Sequence, residues 1–153
     1  MKLSVIIPVF NEVETINEIV DRVRQVPLNK EIVLVDDSST DGSGEILKSL
    51  SNDPDILVLS HPVNQGKGVA IASALQMATG DLVVIQDADL EYDPNDFLEL
   101  IKPILDKQTD VVYGVRDLSS QRIIMRLGNN FLSWVASLLY GVKLNDMETC
   151  YKM

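Results

Sequence analysis

A chain of 153 residues with 46% apolar and 24% charged side chains is long enough for one substantial core, and that composition excludes an intrinsically disordered protein. A formal net charge of −10, from 23 acidic and 13 basic residues, argues against a nucleic-acid binder that works by neutralising phosphates. The single cysteine, Cys150, excludes an internal disulfide and fits a reducing, cytoplasmic setting.

The opening run, Met1 to Pro8, is apolar only briefly before Asn11 and Glu12, so it is read as structure and not as a signal peptide. Nowhere does the chain supply the roughly 20 consecutive apolar residues of a membrane span. Lys2–Val9 reads as a buried strand. Ile16, Ile19, Val20, Val23 and Val26 follow at helical spacing, and Pro27 closes that helix. Glu31–Asp36 is a second strand. Ser38 to Gly42 is a loop feeding a short helix through Ile46, Leu47 and Leu50, and Asp55–Ser60 is a third strand. Gly66–Ala78, small and apolar, reads as a helix lying close on the sheet, with Gly80 as its C-cap. Asp81–Gln86 is a fourth strand. Asp93 and Pro94 open a helix that runs to about Asp106, and Asp110–Tyr113 is a fifth strand.

Strands that are continuous apolar runs, alternating with helices, predict a mainly parallel α/β sheet with helices on both faces. Ligands of such sheets lie at the carboxyl ends of the strands. The first, second and fourth strands end in Asn11-Glu12, Asp36-Asp37 and Asp87-Ala88-Asp89, so topology alone gathers these acids at one edge. Past Gly114 the character changes. Residues 1–111 carry 8 basic and 20 acidic residues, a net −12, whereas 112–153 carry 5 and 3, a net +2. Within 119–142 an apolar stripe through Ile123, Leu127, Phe131, Trp134 and Leu138 opposes Arg122, Arg126, Asn130 and Ser137. This amphipathic segment either closes the core or lies on a membrane surface. The whole chain, 1–153, is read as one domain, and its end at Met153 without a clear terminal element is read as a cut within a longer protein.

Asp87, Asp89 and Glu91 alternate and, on extended backbone, aim at one point. Hard oxygen donors of this kind suit Mg²⁺ or Mn²⁺. Two unit charges about 4 Å apart interact by about 4 kcal/mol near a protein surface, so carboxylates facing a diphosphate need a cation between them. The competing reading is a solvated acidic turn before a helix. Asp36 to Gly42 is either an Asx-rich capping turn or a carboxylate site for a base or ribose donor. Asn64-Gln65-Gly66-Lys67-Gly68 is either a simple turn or a close backbone approach with a lysine beside phosphate. His61 and Cys150 have no partner that the sequence reveals.

Jointly, Val5–Glu12, Val35–Gly42, Asn64–Gly68 and Gln86–Glu91 resemble family 2 glycosyltransferases of the GT-A fold, a Rossmann-like nucleotide-sugar-binding architecture. Tyr113–Arg116, Gly128–Asn130 and Asp146–Lys152 are similar to the dolichol-phosphate mannosyltransferase and polyprenyl-phosphate glycosyltransferase branch. The resemblance implies that Pro8, Phe10, Glu12, Val35 and Asp37 surround base and ribose, with Ala88 beside the nucleotide. It implies that Asp87, Asp89 and Glu91 serve the metal, and that Arg116, with Arg122 or Arg126, holds phosphate. The implied reaction is metal-dependent, inverting transfer of a hexose from a GDP- or UDP-sugar to a polyprenyl phosphate at a membrane surface. An anionic lipid phosphate needs orientation more than a base, whereas a sugar hydroxyl acceptor makes Asp146 the candidate base. Asp89, Arg116, Arg126 and Asp146 are thus the expected catalytic set. Three rivals remain: a family 2 enzyme extending a polysaccharide at a sugar hydroxyl, a catalytically silent nucleotide-sugar binder, and a receiver domain whose opening strand would be Val33–Asp37. The receiver fold should begin at that strand, yet a strand and a helix precede it.

Overall fold

The structure, a computed structural model, describes residues 1–114 and 151–153. Four strands, β1 (Leu3–Val9), β2 (Lys30–Asp36), β3 (Ile56–Ser60) and β4 (Leu82–Ile85), form one parallel sheet in the order β3-β2-β1-β4. Between them run α1 (Ile16–Gln25), α2 (Ser43–Leu50) and α3 (Lys67–Leu75). Alternate residues of β1 explain why the strand, apart from Ser4, is apolar. Leu3, Val5, Ile7 and Val9 join a core with Ile19, Val20 and Val23 of α1 and Leu47 of α2, while Ile6 faces Ala70 and Ala74 of α3 with Val33 and Val35. A strand buried on both faces has no polar face to show.

The placement of helices follows from the strand order. The chain moves outward from β1 to β2 to β3 with α1 and α2 on one face, then returns past β1 to β4 through α3 on the other. Crossovers of one hand, stepping in opposite directions, must use opposite faces. The chain therefore reverses between β1 and β4, and that reversal opens a crevice at their carboxyl ends. At the opposite end the sheet is tied together by Glu31, whose buried carboxylate accepts from Ser4 Oγ (2.6 Å), Thr79 N (2.6 Å), Thr79 Oγ1 (2.7 Å) and Lys2 Nζ.

Three expected features differ. Gly80 does not cap α3, which ends at Leu75 with Gln76 as its C-cap. Gly80 instead lies against β1, where a Cβ would stand 2.6 Å from Ser4 Oγ and 2.7 Å from Ser4 N. The single helix expected up to Asp106 is a 3₁₀ turn (Pro94–Asp96) followed by α4 (Phe97–Leu100) and α5 (Lys102–Leu105). Pro103 has no N–H to continue the helical ladder; the predicted start holds, since Asp93 accepts from Asn95 N with Pro94 behind it. The fifth strand is absent among the described residues. Val112 and Gly114 bond instead to Met153 and Tyr151, in an antiparallel bridge centred on Tyr113 and Lys152. Exposed Val111 and Tyr113 show why this run is not a central strand: only one face of it is covered. No helix among the described residues is long and apolar enough to cross a membrane. The amphipathic segment 119–142 lies outside the described residues.

Candidate functional site

A cleft of about 410 Å³ opens where the carboxyl ends of β1, β2 and β4 meet the start of α3. Its apolar floor is Pro8, Ala70 and Ala88, with Phe10 standing half-exposed at the rim. Glu12, Asp37, Asp87, Asp89, Asn64 and Lys67 supply its polar groups. A site at the reversal of strand order is where open parallel sheets bind ligands. The first turn of α3 adds backbone N–H groups and the positive end of a helix dipole, which favour an anion.

The rim turn after β1 is bolted in place. Asn11 adopts a left-handed conformation, φ 58°, that the short polar side chain of asparagine tolerates. Asn11 N donates to Ser39 Oγ (3.0 Å), and Asn11 Oδ1 accepts from Thr40 N (2.8 Å). Glu12 N donates to Ser43 Oγ (2.9 Å) and Val13 N to Asp41 Oδ2 (3.0 Å). Ser39, Thr40, Asp41 and Ser43 thus hold the Asn11–Val13 turn, including Glu12 at the cleft, while Gly42, the N-cap of α2, makes no side-chain cap bond.

The two aspartates ending β2 diverge, as alternate directions along a strand require. Asp36 accepts from Ser39 N (2.9 Å) and turns to α2, where Gly44 leaves it room. Asp37 turns to the cleft and is almost entirely buried. It accepts from His61 Nδ1 (2.7 Å), Gln65 N (2.9 and 3.1 Å) and Gly66 N (2.7 Å). Burial alone would raise its pKa; the imidazole and the two amides outweigh burial and hold it below the usual carboxylate range. Val35, expected beside the base, is fully buried among Ile6, Val33 and Ala70, beneath the cleft and not on its wall.

After β4, Asp87 and Asp89 both line the cleft. Asp87 Oδ1 lies 2.6 Å from Lys67 Nζ, so the lysine expected near phosphate is here paired to a carboxylate. Glu91 does not line the cleft. Leu90 takes the left-handed conformation, φ 64°, and the Glu91 N–H folds back onto Asp89 Oδ1 at 3.0 Å. The turn breaks the extended alternation on which convergence of three carboxylates depended. Among the described residues no group of three or more His, Cys, Asp or Glu side chains could hold a metal ion. Asp87 and Asp89 nevertheless fit a divalent cation as two hard oxygen donors in one cleft, with further oxygens coming from a bound ligand and water. Arg116, Arg122, Arg126 and Asp146 lie outside the described residues.

Sequence reasoning assigned no role to His61 or Tyr151. His61 follows the end of β3, so the rule that gathered the other strand ends also reaches it. Tyr151 donates to the fully buried Gln86 (3.0 Å), whose amide donates in turn to the Asp87 carbonyl (3.0 Å). Tyr151 also meets Tyr92 and Phe97, with ring centres 4.8 and 5.6 Å away.

An open parallel α/β sheet with a cleft at its reversal point places the chain among the doubly wound α/β domains, whose ligands bind at that point. Residues 4–131 match the family described as Glycosyl transferase family 2. The chain belongs to that family, and it has the GT-A fold. An undecaprenyl-phosphate 4-deoxy-4-formamido-L-arabinose transferase of Yersinia pestis is 30% identical over 151 residues, covering 95% of this chain and 46% of the relative. The chain thus spans about half the length of the curated relatives it matches. Among solved structures, the mannosyltransferase PcManGT of Pyrobaculum calidifontis, in complex with GDP-Man and Mn²⁺, superposes with a TM-score of 0.68 at 30% identity, over 81% of this chain and 38% of the other. TarS 1–349 of S. aureus in complex with UDP-GlcNAc gives 0.63 at 27% identity, over 80% and 39%.

Proposed function

We propose that the cleft binds a nucleotide-diphosphate hexose and that the protein transfers the hexose to a polyprenyl phosphate. The observation that carries this reading is the convergence of Phe10, Asp37, Lys67, Asp87 and Asp89 on one cleft with an apolar floor. Phe10 and Pro8 offer faces for a base. Glu12 and Asp37 offer acceptors for ribose or base donors, although Asp37 acts chiefly by holding the Gln65–Gly66 turn. Lys67 stands near enough to exchange Asp87 for a phosphate. Mg²⁺ or Mn²⁺ bound at Asp87 and Asp89 would offset the negative charge that develops on the departing diphosphate. Through such a cation these two carboxylates would hold the diphosphate end of the donor.

The acceptor half of the proposal is supported by the undecaprenyl-phosphate transferases among the relatives and by the basic stretch 112–153 in an acidic chain. Arg116 and Arg126 would clamp the lipid phosphate through charge-assisted hydrogen bonds, and residues 119–142 would lie at the membrane surface. Asp146 would serve as base only if the acceptor were a sugar hydroxyl.

Titration of UDP, GDP and their hexose conjugates by calorimetry, followed by transfer of labelled hexose to a short-chain polyprenyl phosphate, tests both halves. Binding of neither nucleotide rejects the donor site. Arg116→Ala and Arg126→Ala should lose transfer yet keep donor affinity; unchanged acceptor kinetics in both rejects the clamp. Transfer to a sugar hydroxyl and not to the lipid phosphate favours the polysaccharide reading.

A further inference from the structure

We propose that His61 is a positioning residue of the donor site, locking Asp37 to the Asn64–Lys67 turn and so setting where Gly66 and Lys67 stand in the cleft. The proposal rests on the donor-site reading above. His61 does not line the cleft, and its side chain is only 7% exposed. Its backbone N–H donates to the Asp36 carbonyl (2.8 Å), which fixes the residue at the end of the β2–β3 pairing. Its ring spans two elements, with Nδ1 2.7 Å from Asp37 Oδ1 and Nε2 3.0 Å from Ser73 Oγ on α3.

The tautomer follows from the partners. The ionised Asp37 carboxylate has no proton to give, so Nδ1 carries the hydrogen and donates to it, leaving Nε2 as the partner of the Ser73 hydroxyl. Asp37 is thereby a hub with an imidazole on one side and the Gln65 and Gly66 amides on the other. Those amides begin the turn that carries Asn64, Gly66 and Lys67 into the cleft. Gly66 takes φ 87° and ψ 156°, a conformation in which a side-chain-bearing residue would be strained, and its carbonyl accepts from Val69 N and Ala70 N of α3 (both 3.1 Å), so the carboxylate bonds to the Gln65 and Gly66 amides tie the start of α3 to the end of β2. With the His61 donor removed, Asp37 is freed to rotate and the amides lose their common acceptor. Asp, His and Ser in this order also match the connectivity of a hydrolytic triad. Ser73, however, lies inside α3 and does not line the cleft, so it anchors the ring and attacks nothing.

Two substitutions separate the two ring nitrogens. His61→Asn places an amide donor near the Nδ1 position and abandons Ser73, whereas His61→Gln reaches the Nε2 position and abandons Asp37. Hydrogen exchange at the Gln65 and Gly66 amides reads the turn directly, and calorimetry with GDP and UDP reads the site. The expected result is near-wild-type protection and nucleotide affinity within about threefold for His61→Asn. For His61→Gln we expect faster exchange at both amides and affinity weakened by about tenfold or more, with similar thermal midpoints for the two variants. A merely structural histidine predicts instead that both variants lose affinity in proportion to stability. Equal exchange and equal affinity in the two variants overturns the proposal while leaving the donor site standing. A wild-type protein that binds neither nucleotide overturns the donor-site reading, and this proposal with it.

Discussion

At Asp37 one carboxylate accepts from an imidazole and two backbone amides, whereas its neighbour Asp36 accepts from Ser39 N on the side of α2. Replacing Asp37 by Asn sets an NH₂ group against at least one of these donors. Hydrogen bonds to a charged group contribute about 1.5–3 kcal/mol each, so Asp37→Asn is expected to weaken nucleotide binding by at least about tenfold and Asp36→Asn by less. Calorimetry on the two folded variants decides; equal affinities refute the orientation argument. Glu31, at the far end of the sheet, makes a pH prediction. Burial raises its pKa, but hydrogen bonds from Lys2, Ser4 and Thr79 outweigh burial and bring it down to about 2 from an ordinary 4.5. A carboxyl depressed on folding stabilises in full above its unfolded value and loses that contribution as pH falls to its folded value. Glu31→Gln is therefore expected to lower Tm at pH 7, and the gap to wild type should narrow as pH falls from 4.5 toward 2. A gap that does not change with pH refutes the assignment.

Between elements, Gly80 packs against the start of β1 with no room for a Cβ, which would stand 2.6–2.8 Å from its nearest neighbours. The obstructing atoms include Ser4 N and Lys2 O, which are backbone and cannot swing aside. Gly80→Ala should destabilise by about 1–3 kcal/mol, the usual cost of overpacking, read as a fall in the urea midpoint at constant m-value. The helix-cap role first expected for Gly80 predicts strain from backbone conformation instead, and a positive φ is not found there. Tyr151 links the last described segment to the edge of the cleft in a comparable way. Its hydroxyl holds Gln86, and Gln86 holds the Asp87 carbonyl, so the acidic turn after β4 is braced from beneath.

For the whole molecule, the sign of the charge is decisive. A chain of net −10 that presents Asp37, Asp87 and Asp89 to one cleft repels a diphosphate unless cations intervene. Among the described residues lining the cleft, Lys67, paired with Asp87, supplies the positive charge. UDP or GDP is therefore expected to bind more weakly in chelator than with Mn²⁺ by about tenfold or more, and Asp89→Ala should abolish that difference. Equal affinity with and without the metal, for both nucleotides, refutes the proposed cation site. The calorimetric comparison also separates Asp89 from Glu91, since Glu91→Ala should retain metal dependence if only the first two carboxylates face the ligand.

The sequence by itself determined the fold class and the edge of the sheet at which the site lies. Both rest on local patterns: an apolar run buried on both faces reads the same in any register, and strand ends in a parallel α/β sheet fall together without knowledge of side-chain contacts. The family motifs likewise needed only order and spacing. Which of the expected residues face the cleft was decided by tertiary structure, because a left-handed turn at Leu90 carries Glu91 away from it and Val35 is buried in the cluster with Ile6, Val33 and Ala70. The partners of His61 and Tyr151 were invisible for the same reason. Asp37 and His61 are 24 residues apart, Tyr151 and Gln86 65 apart, and hydrogen bonds over such separations exist only once the fold has brought donor and acceptor within about 3 Å of one another.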